Sequence, residues 1–344
     1  MLLSIIVTVW NAEEYLRRCL RSLLDQDLDP SDYEVIVIND GSDDGSLAIT
    51  EALALTNQNI VTYSQENQGI SAARNAGIGL AKGKYIYFVD ADDHVASQVL
   101  GGLVKLMERE TLQVLGFGFS DVQPDEHLPA PRFHYDISKG VDVTPGTEYM
   151  ATHYYPNTVW WYMVDRTFLM DLWVRFEVGR LVEDAIFTAN VVSAASRFAF
   201  VPIDVYRYDR RPGSTIRTRT DDSAKKLVAD YERVVFGLEE LRQELLRTGK
   251  ASPALLDRLV NRQQTFVFFL IARLIRSHVA TKPVLPDALR RLRAIDMYPL
   301  RRFPGPDDKN VRYKFLTVVY NREYLLYPFI RIYRSLSGLR RFVP

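Results

Sequence analysis

The first 93 residues alternate between short apolar runs and helix-patterned segments, and few folds accept that rhythm. Ser4 to Trp10, Glu34 to Ile38, Ile60 to Tyr63 and Tyr85 to Val89 are rich in β-branched and aromatic residues, as strands are. The first and last of these runs are almost wholly apolar, the mark of central strands covered on both faces. Between them, Tyr15, Leu16, Cys19, Leu20, Leu23 and Leu24 recur at helical spacing behind a candidate N-cap at Asn11. A second helix opens at Ser46, and Ile70 to Ala81 forms a third, built of small residues. This alternation predicts right-handed βαβ units, hence an α/β protein with a doubly wound, mostly parallel sheet and flanking helices.

The fourth strand runs into Asp90-Ala91-Asp92-Asp93. Open α/β sheets bind ligands outside the carboxyl ends of their strands. Three carboxylates so close together repel, and a divalent cation relieves the repulsion. Oxygen ligands suit Mg²⁺ or Mn²⁺, which commonly bind one or two carboxylates plus substrate phosphates. Taken alone, the quartet reads equally well as a solvated acidic turn.

Other segments share that ambiguity. Asn39 to Ser46 is a turn-rich polar octet in which Asp43 and Asp44 read as solvated turn residues. Asn67 to Gly77 is a polar, glycine-containing loop feeding a helix, a common place for phosphate. Arg74, its only cation, suits a diphosphate; the alternative is a surface arginine beside a carboxylate. Arg211, Ser214 and Thr215 make a second anion-friendly loop, or a plain basic turn. Gly77 to Gly83 brushes against the dinucleotide fingerprint but misses its spacing and lies in a helix. Close helix packing explains those glycines better, so hydride transfer is rejected.

Further along, residues 121–147 lack periodicity and read as a surface excursion. Thr158 to Val164 predicts an aromatic strand in which only one of Trp160 and Trp161 faces an acceptor site. Glu183 and Asp184 open a helical run to Ala195, where the helix dipole favours carboxylates either as ordinary caps or as a ready base. Phe198 to Tyr208 is strand-like, and long amphipathic helices follow at 223–247 and 254–278. The expected domains are therefore 1–220, holding the sheet, and 221–344, helical.

Lys plus Arg equals Asp plus Glu at 43 each, which predicts no nucleic-acid partner. A single cysteine, Cys19, excludes an internal disulfide and fits a reducing, cytoplasmic setting. The five histidines are scattered, with only His94 near the acidic turn. No apolar run is long enough to span a bilayer. From Val311 onward, seven Lys or Arg against one acid, Glu323, alternate with aromatic and aliphatic residues, a mixture suited to a membrane surface.

Five motifs together carry a resemblance: Ser4 to Asn11, Asn39-Asp40-Gly41-Ser42, Glu66 to Gly77, Asp90-Ala91-Asp92-Asp93 and Glu183-Asp184. In that order they resemble an inverting glycosyltransferase of family 2, with the GT-A nucleotide-sugar fold, of the kind that builds bacterial surface polysaccharides. The resemblance covers roughly residues 1–216. It implies a nucleotide-diphosphate sugar donor, most often a UDP-sugar, and a saccharide or lipid-linked saccharide acceptor. It also implies that Thr8, Trp10 and Asp40 hold the nucleoside, and that Asp90 and Asp92 hold Mn²⁺ or Mg²⁺, Asp92 by the direct bond and Asp90 nearer the ribose. Asp184, assisted by Glu183, would then be the general base. Thr8-Val9-Trp10 stands where the family often has proline, a departure at the nucleobase contact.

Two rivals remain. A nucleotidyltransferase would open with a glycine-rich basic loop where this chain has Trp10-Asn11-Ala12-Glu13-Glu14. A catalytically silent sugar-nucleotide-binding module would have no need of Asp90, Asp92 and Asp184 together.

Overall fold

The computed structural model describes residues 1–123, 130–131, 136, 140–210, 221–276, 284–301, 311–335 and 343, without the side chains of 221–225 and 334. The chain divides into two compact units: Met1–Gly179 with Phe187–Pro212, and Arg180–Ile186 with Gly213–Pro344.

The first unit opens with β1 (Leu3–Val9), α1 (Glu13–Leu24), β2 (Tyr33–Asp40), α2 (Ser46–Ala54), β3 (Ile60–Gln65), α3 (Ile70–Leu80) and β4 (Tyr85–Asp90). It continues through β5 (His94–Val95), α4 (Leu100–Arg109), β6 (Val114–Val122), α5 (Gly146–Thr152), β7 (Tyr162–Asp165) and α6 (Arg166–Asp171). Helix α7 (Asp184–Ala194) and β8 (Phe198–Asp209) complete it, the first turn of α7 belonging to the second unit. All eight strands form one sheet in the order β3-β2-β1-β4-β7-β6-β8-β5. β1 to β4 pair in parallel, as do β6 and β8, whereas β7 and β5 run against their neighbours.

Central position explains the apolar runs. Ile5, Ile6, Val7, Ile36 and Val37 are fully buried, and each such side chain contributes about 1.5–3 kcal/mol over its exposed state. Helix α3 lies so close to β1 that a Cβ on Gly77 would sit 2.4 Å from Ile6 Cγ2. One on Gly83 would meet the β1 backbone at 2.5 Å. Of the near-fingerprint glycines, Gly77 and Gly83 are therefore packing glycines, while Gly79 faces open space.

The structure revises several expectations. Asn11 does not cap α1: it takes a left-handed φ of 50°, and its Oδ1 accepts from Asp43 N. The helix entry is held from the β2–α2 loop instead. Ala12 N donates to Ser46 Oγ, Glu13 N donates to Asp44 Oδ2, and Glu13 Oε2 accepts from Gly45 N. Asp44 is thus a cap, not a solvated turn residue. Burial works to raise its pKa, but hydrogen bonds from Ser46 and Glu13 outweigh it and hold the carboxyl below its ordinary value.

No element is predicted between His94 and Asp121, yet α4 and β6 occupy that stretch. Glycines hide both. Gly101 lies against Asp27 at the start of α4, and Gly116 in β6 leaves room for the Trp161 ring. The strand expected at 158–164 is only β7. Trp160 and Trp161 precede it in turns, and both are buried, so neither offers an open face.

The second unit holds α8 (Asp221–Arg247), α9 (Pro253–Arg276), α10 (Val284–Ala294), α11 (Val311–Tyr320) and α12 (Glu323–Ser335). Buried Gln263 ties α9 to α8 by donating to Val235 O, and Phe268 packs on Tyr320 with ring centroids 5.0 Å apart. Among the described residues no helix is long and apolar enough to cross a membrane.

Candidate active site

Register brings the sequence motifs to one sheet edge. Thr8 pairs with Ile38 on one side and Asp90 on the other, while Asn39 and Asp40 pair with Ser64 and Gln65. The carboxyl ends of β1, β2, β3 and β4 therefore finish side by side, with Trp10 exposed just beyond.

Asp40 is buried and already employed. Its Oδ1 accepts from Gln65 Nε2 at 2.7 Å and Gln68 N at 2.9 Å, and its Oδ2 accepts from Gly69 N at 2.7 Å. Those bonds fix the loop leading into α3 and set a negative charge at its positive end. A carboxylate offers about four lone-pair sites, so one direction remains for a further donor.

Arg74 is buried rather than a surface residue. Its Nη2 donates to Asp90 Oδ1 at 2.9 Å, and its guanidinium lies 5.3 Å from the Phe176 ring centroid. Phe176 is fastened to α3 by Asn75, whose Nδ2 donates to Phe176 O at 2.8 Å and whose Oδ1 accepts from Phe176 N at 3.0 Å. Phe187 stacks on Phe176 at 3.8 Å.

The three carboxylates of the acidic turn separate. Asp90 faces Arg74 and Asp92 is exposed, but Asp93 turns inward and is buried. Asp93 Oδ2 accepts from the Tyr206 hydroxyl at 2.6 Å, and its Oδ1 accepts from Asp209 N at 2.9 Å. The same hydroxyl accepts from Asp90 N at 3.3 Å. Burial, then the charges of Asp93 and Asp90, push the Tyr206 pKa well up, so it stays a proton donor. Trp160 stacks flat on its ring at 4.3 Å.

Behind the turn, Arg18 pairs with Asp209, and His94 Nδ1 lies 3.7 Å from Asp209 Oδ1. Cys19 Sγ donates to Asp90 O at 3.7 Å; burial, with Asp93, Asp92 and Asp90, raises its pKa well above the ordinary value. Asn75, Phe176 and Tyr206 were not among the predicted site residues. Asn75 lies inside the Glu66 to Gly77 motif, while Phe176 and Tyr206 carry no local signal.

Among the described residues no three His, Cys, Asp or Glu side chains form a metal cage. With Asp93 turned inward, Asp90 and Asp92 are the carboxylates left at the turn. Two hard oxygen donors fit a Mg²⁺ or Mn²⁺ that takes its remaining ligands from substrate phosphates and water. Glu183 is buried, and Asp184 opens α7 within the second unit. Arg211, Ser214 and Thr215 lie outside the described residues.

A family model described as Glycosyl transferase family 2 matches residues 4–165. The uncharacterized glycosyltransferase EpsJ of Bacillus subtilis is 33% identical over 218 residues, covering 62% of each chain, less than two thirds of that protein. S. aureus TarS 1-349, solved in complex with UDP-GlcNAc, superposes with a TM-score of 0.58 at 20% identity, over 93% of this chain and 91% of that one. The Pyrobaculum calidifontis mannosyltransferase PcManGT, solved with GDP-Man and Mn²⁺, gives 0.53 at 17% identity, over 93% and 86%. These likenesses agree with the GT-A sheet, and residues 4–165 of the chain are similar to glycosyl transferase family 2.

Proposed function

We propose that this chain is an inverting, metal-dependent glycosyltransferase that moves a sugar from a UDP-sugar to a hydroxyl of a saccharide or lipid-linked saccharide in surface-polysaccharide synthesis. The observation that carries the reading is the meeting of Thr8, Asp40, Arg74 and Asp90 at one sheet edge, beside exposed Asp92, in a chain similar to family 2. Complexes of UDP-GlcNAc with TarS and of GDP-Man and Mn²⁺ with PcManGT support the donor class and the metal. Thr8, Trp10 and Asp40 hold the nucleoside, Arg74 faces the diphosphate, Asp90 lies at the ribose, and Arg211 and Ser214, outside the described residues, are assigned to the diphosphate as well. Mn²⁺ or Mg²⁺, held by Asp92 and Asp90, would offset charge on the departing diphosphate.

Asp184 accepts the proton of the acceptor hydroxyl, and Glu183 orients it. The acceptor oxygen bonds to the anomeric carbon from the face opposite the diphosphate. The old C–O bond breaks with its electron pair leaving on the nucleoside diphosphate, so the anomeric configuration inverts. Helix α7 begins at Asp184, and its dipole favours the ionised carboxylate that this step needs.

Incubation with UDP-sugars and Mn²⁺ should release UDP. Pyrophosphate would instead indicate nucleotidyl transfer, and binding without release a silent module. Asp92→Asn should lose metal-dependent UDP binding and turnover together. Asp184→Asn should retain UDP binding but lose a factor of about 10²–10⁴ in turnover. Near-full activity in Asp184→Asn would overturn the assigned base.

Contact with an anionic membrane surface is part of this reading. Val311, Phe315 and Val318 form an exposed stripe on α11, and Leu325 and Ile332 another on α12, flanked by exposed Lys314, Arg322 and Arg331. Each basic residue near an anionic leaflet adds about 1 kcal/mol. Phe315→Glu with Ile332→Glu should abolish sedimentation with phosphatidylglycerol vesicles, and unchanged sedimentation would refute the contact.

A further inference from the structure

We infer that Asp230, within α8, is a positioning residue for the Glu183-Asp184 pair. This deepens, and rests on, the reading of Asp184 as general base. Residues 180–183 carry no helix or strand, so their placement depends on tertiary contacts. Asp230 supplies two of them. It is 1% exposed, its Oδ2 accepts from Leu181 N at 2.8 Å, and its Oδ1 accepts from Arg180 Nη1 at 3.3 Å.

Two helical turns further along α8, a Cβ on Gly237 would sit 2.7 Å from Ile186 Cδ1. Residues at i and i+7 share a helix face. One face of α8 therefore meets the chain at Leu181, before the pair, and at Ile186, after it. Arg180–Ile186 groups with the helical unit, not with the sheet on either side of it in sequence.

A buried carboxylate is otherwise a poor choice for a helix interior. Alanine or leucine has the better propensity, and a buried charge is costly unless it is paired and hydrogen-bonded. Here the cost is met by a backbone N–H and a guanidinium, both immediately upstream of the proposed base. Loss of Asp230 frees Leu181 N and lets the start of α7 shift. Misplacing a reacting group by about 1 Å can cost about 10²-fold in rate.

The test is a double-mutant cycle in the full chain, read as UDP released from the UDP-sugar turned over fastest in a donor panel. Asp230→Ala should lower kcat about 10- to 100-fold, leaving the donor KM and the Kd for UDP with Mn²⁺ unchanged. In an Asp184→Asn background the same change should alter the rate less than about two-fold, because its effect runs through Asp184. Should Asp230→Ala fail to fold, Asp230→Asn, which keeps one oxygen for Leu181 N, carries the same cycle with a smaller loss. Wild-type kcat in the substituted enzyme, or an equal loss in both backgrounds, would overturn the proposal while sparing the assigned base. Full activity in Asp184→Asn itself would overturn both.

Discussion

Replacing Tyr206 by phenylalanine tests the claim that the acidic turn is held from behind. The ring can keep its stack on Trp160, so the change isolates the hydroxyl. Two bonds disappear: the 2.6 Å donation to buried Asp93 and the 3.3 Å bond accepted from Asp90 N. A hydrogen bond to a charged group contributes about 1.5–3 kcal/mol and a neutral one about 1, so the loss should be about 3 kcal/mol. For a unit of about 200 residues each kcal/mol moves the melting temperature by about 2–4 °C, giving a fall of about 6–12 °C. Tyr87→Phe is the matched control. That hydroxyl is also buried, on β4, but has no hydrogen-bond partner among the described residues, so its removal should be neutral or slightly stabilising. Scanning calorimetry of both variants decides the matter. A fall of less than about 2 °C for Tyr206→Phe, or equal shifts in the two, would refute the brace.

Other outcomes follow from the same geometry. Arg74→Met should weaken UDP binding in Mn²⁺ at least about ten-fold by titration calorimetry, since it removes the cation facing Asp90; unchanged affinity would remove Arg74 from the site. Two glycines of α3 should respond with opposite signs in urea titrations. Gly77→Ala should cost about 1–3 kcal/mol by overpacking on Ile6, while Gly79→Ala, with nothing among the described residues within 4 Å, should gain about 0.5–1 kcal/mol. Cys19 should resist iodoacetamide in the folded protein even at pH 9 and react once unfolded in urea. Its thiol holds the proton more tightly when folded, so the stability it contributes is complete below the unfolded value near 9.0 and is lost as pH rises toward the folded one.

Apolar runs and helical spacing by themselves determined the strands and helices that carry the motifs, from β1 to β4 and again in α7 to α9, because burial on both faces leaves a continuous apolar run and burial on one face imposes a spacing. The meeting of Thr8, Asp40 and Asp90 was legible for the same reason, since parallel strands of similar length end together. Glycine-bearing α4 and β6 were not, because their glycines answer to Asp27 and Trp161, residues distant in sequence. Nor could Asp93 be told from Asp90 and Asp92. Three adjacent carboxylates look alike in a string, and only a tyrosine 113 residues away turns one of them inward. Asn11 reads as a cap until Ser46 and Asp44 arrive from another loop to do that work. The same limit applies to Glu183 and Asp184, which sit between sheet segments in sequence but whose neighbours Leu181 and Ile186 meet α8. Local pattern records which face of an element is buried; it does not record what buries it, because that partner is chosen by chain topology.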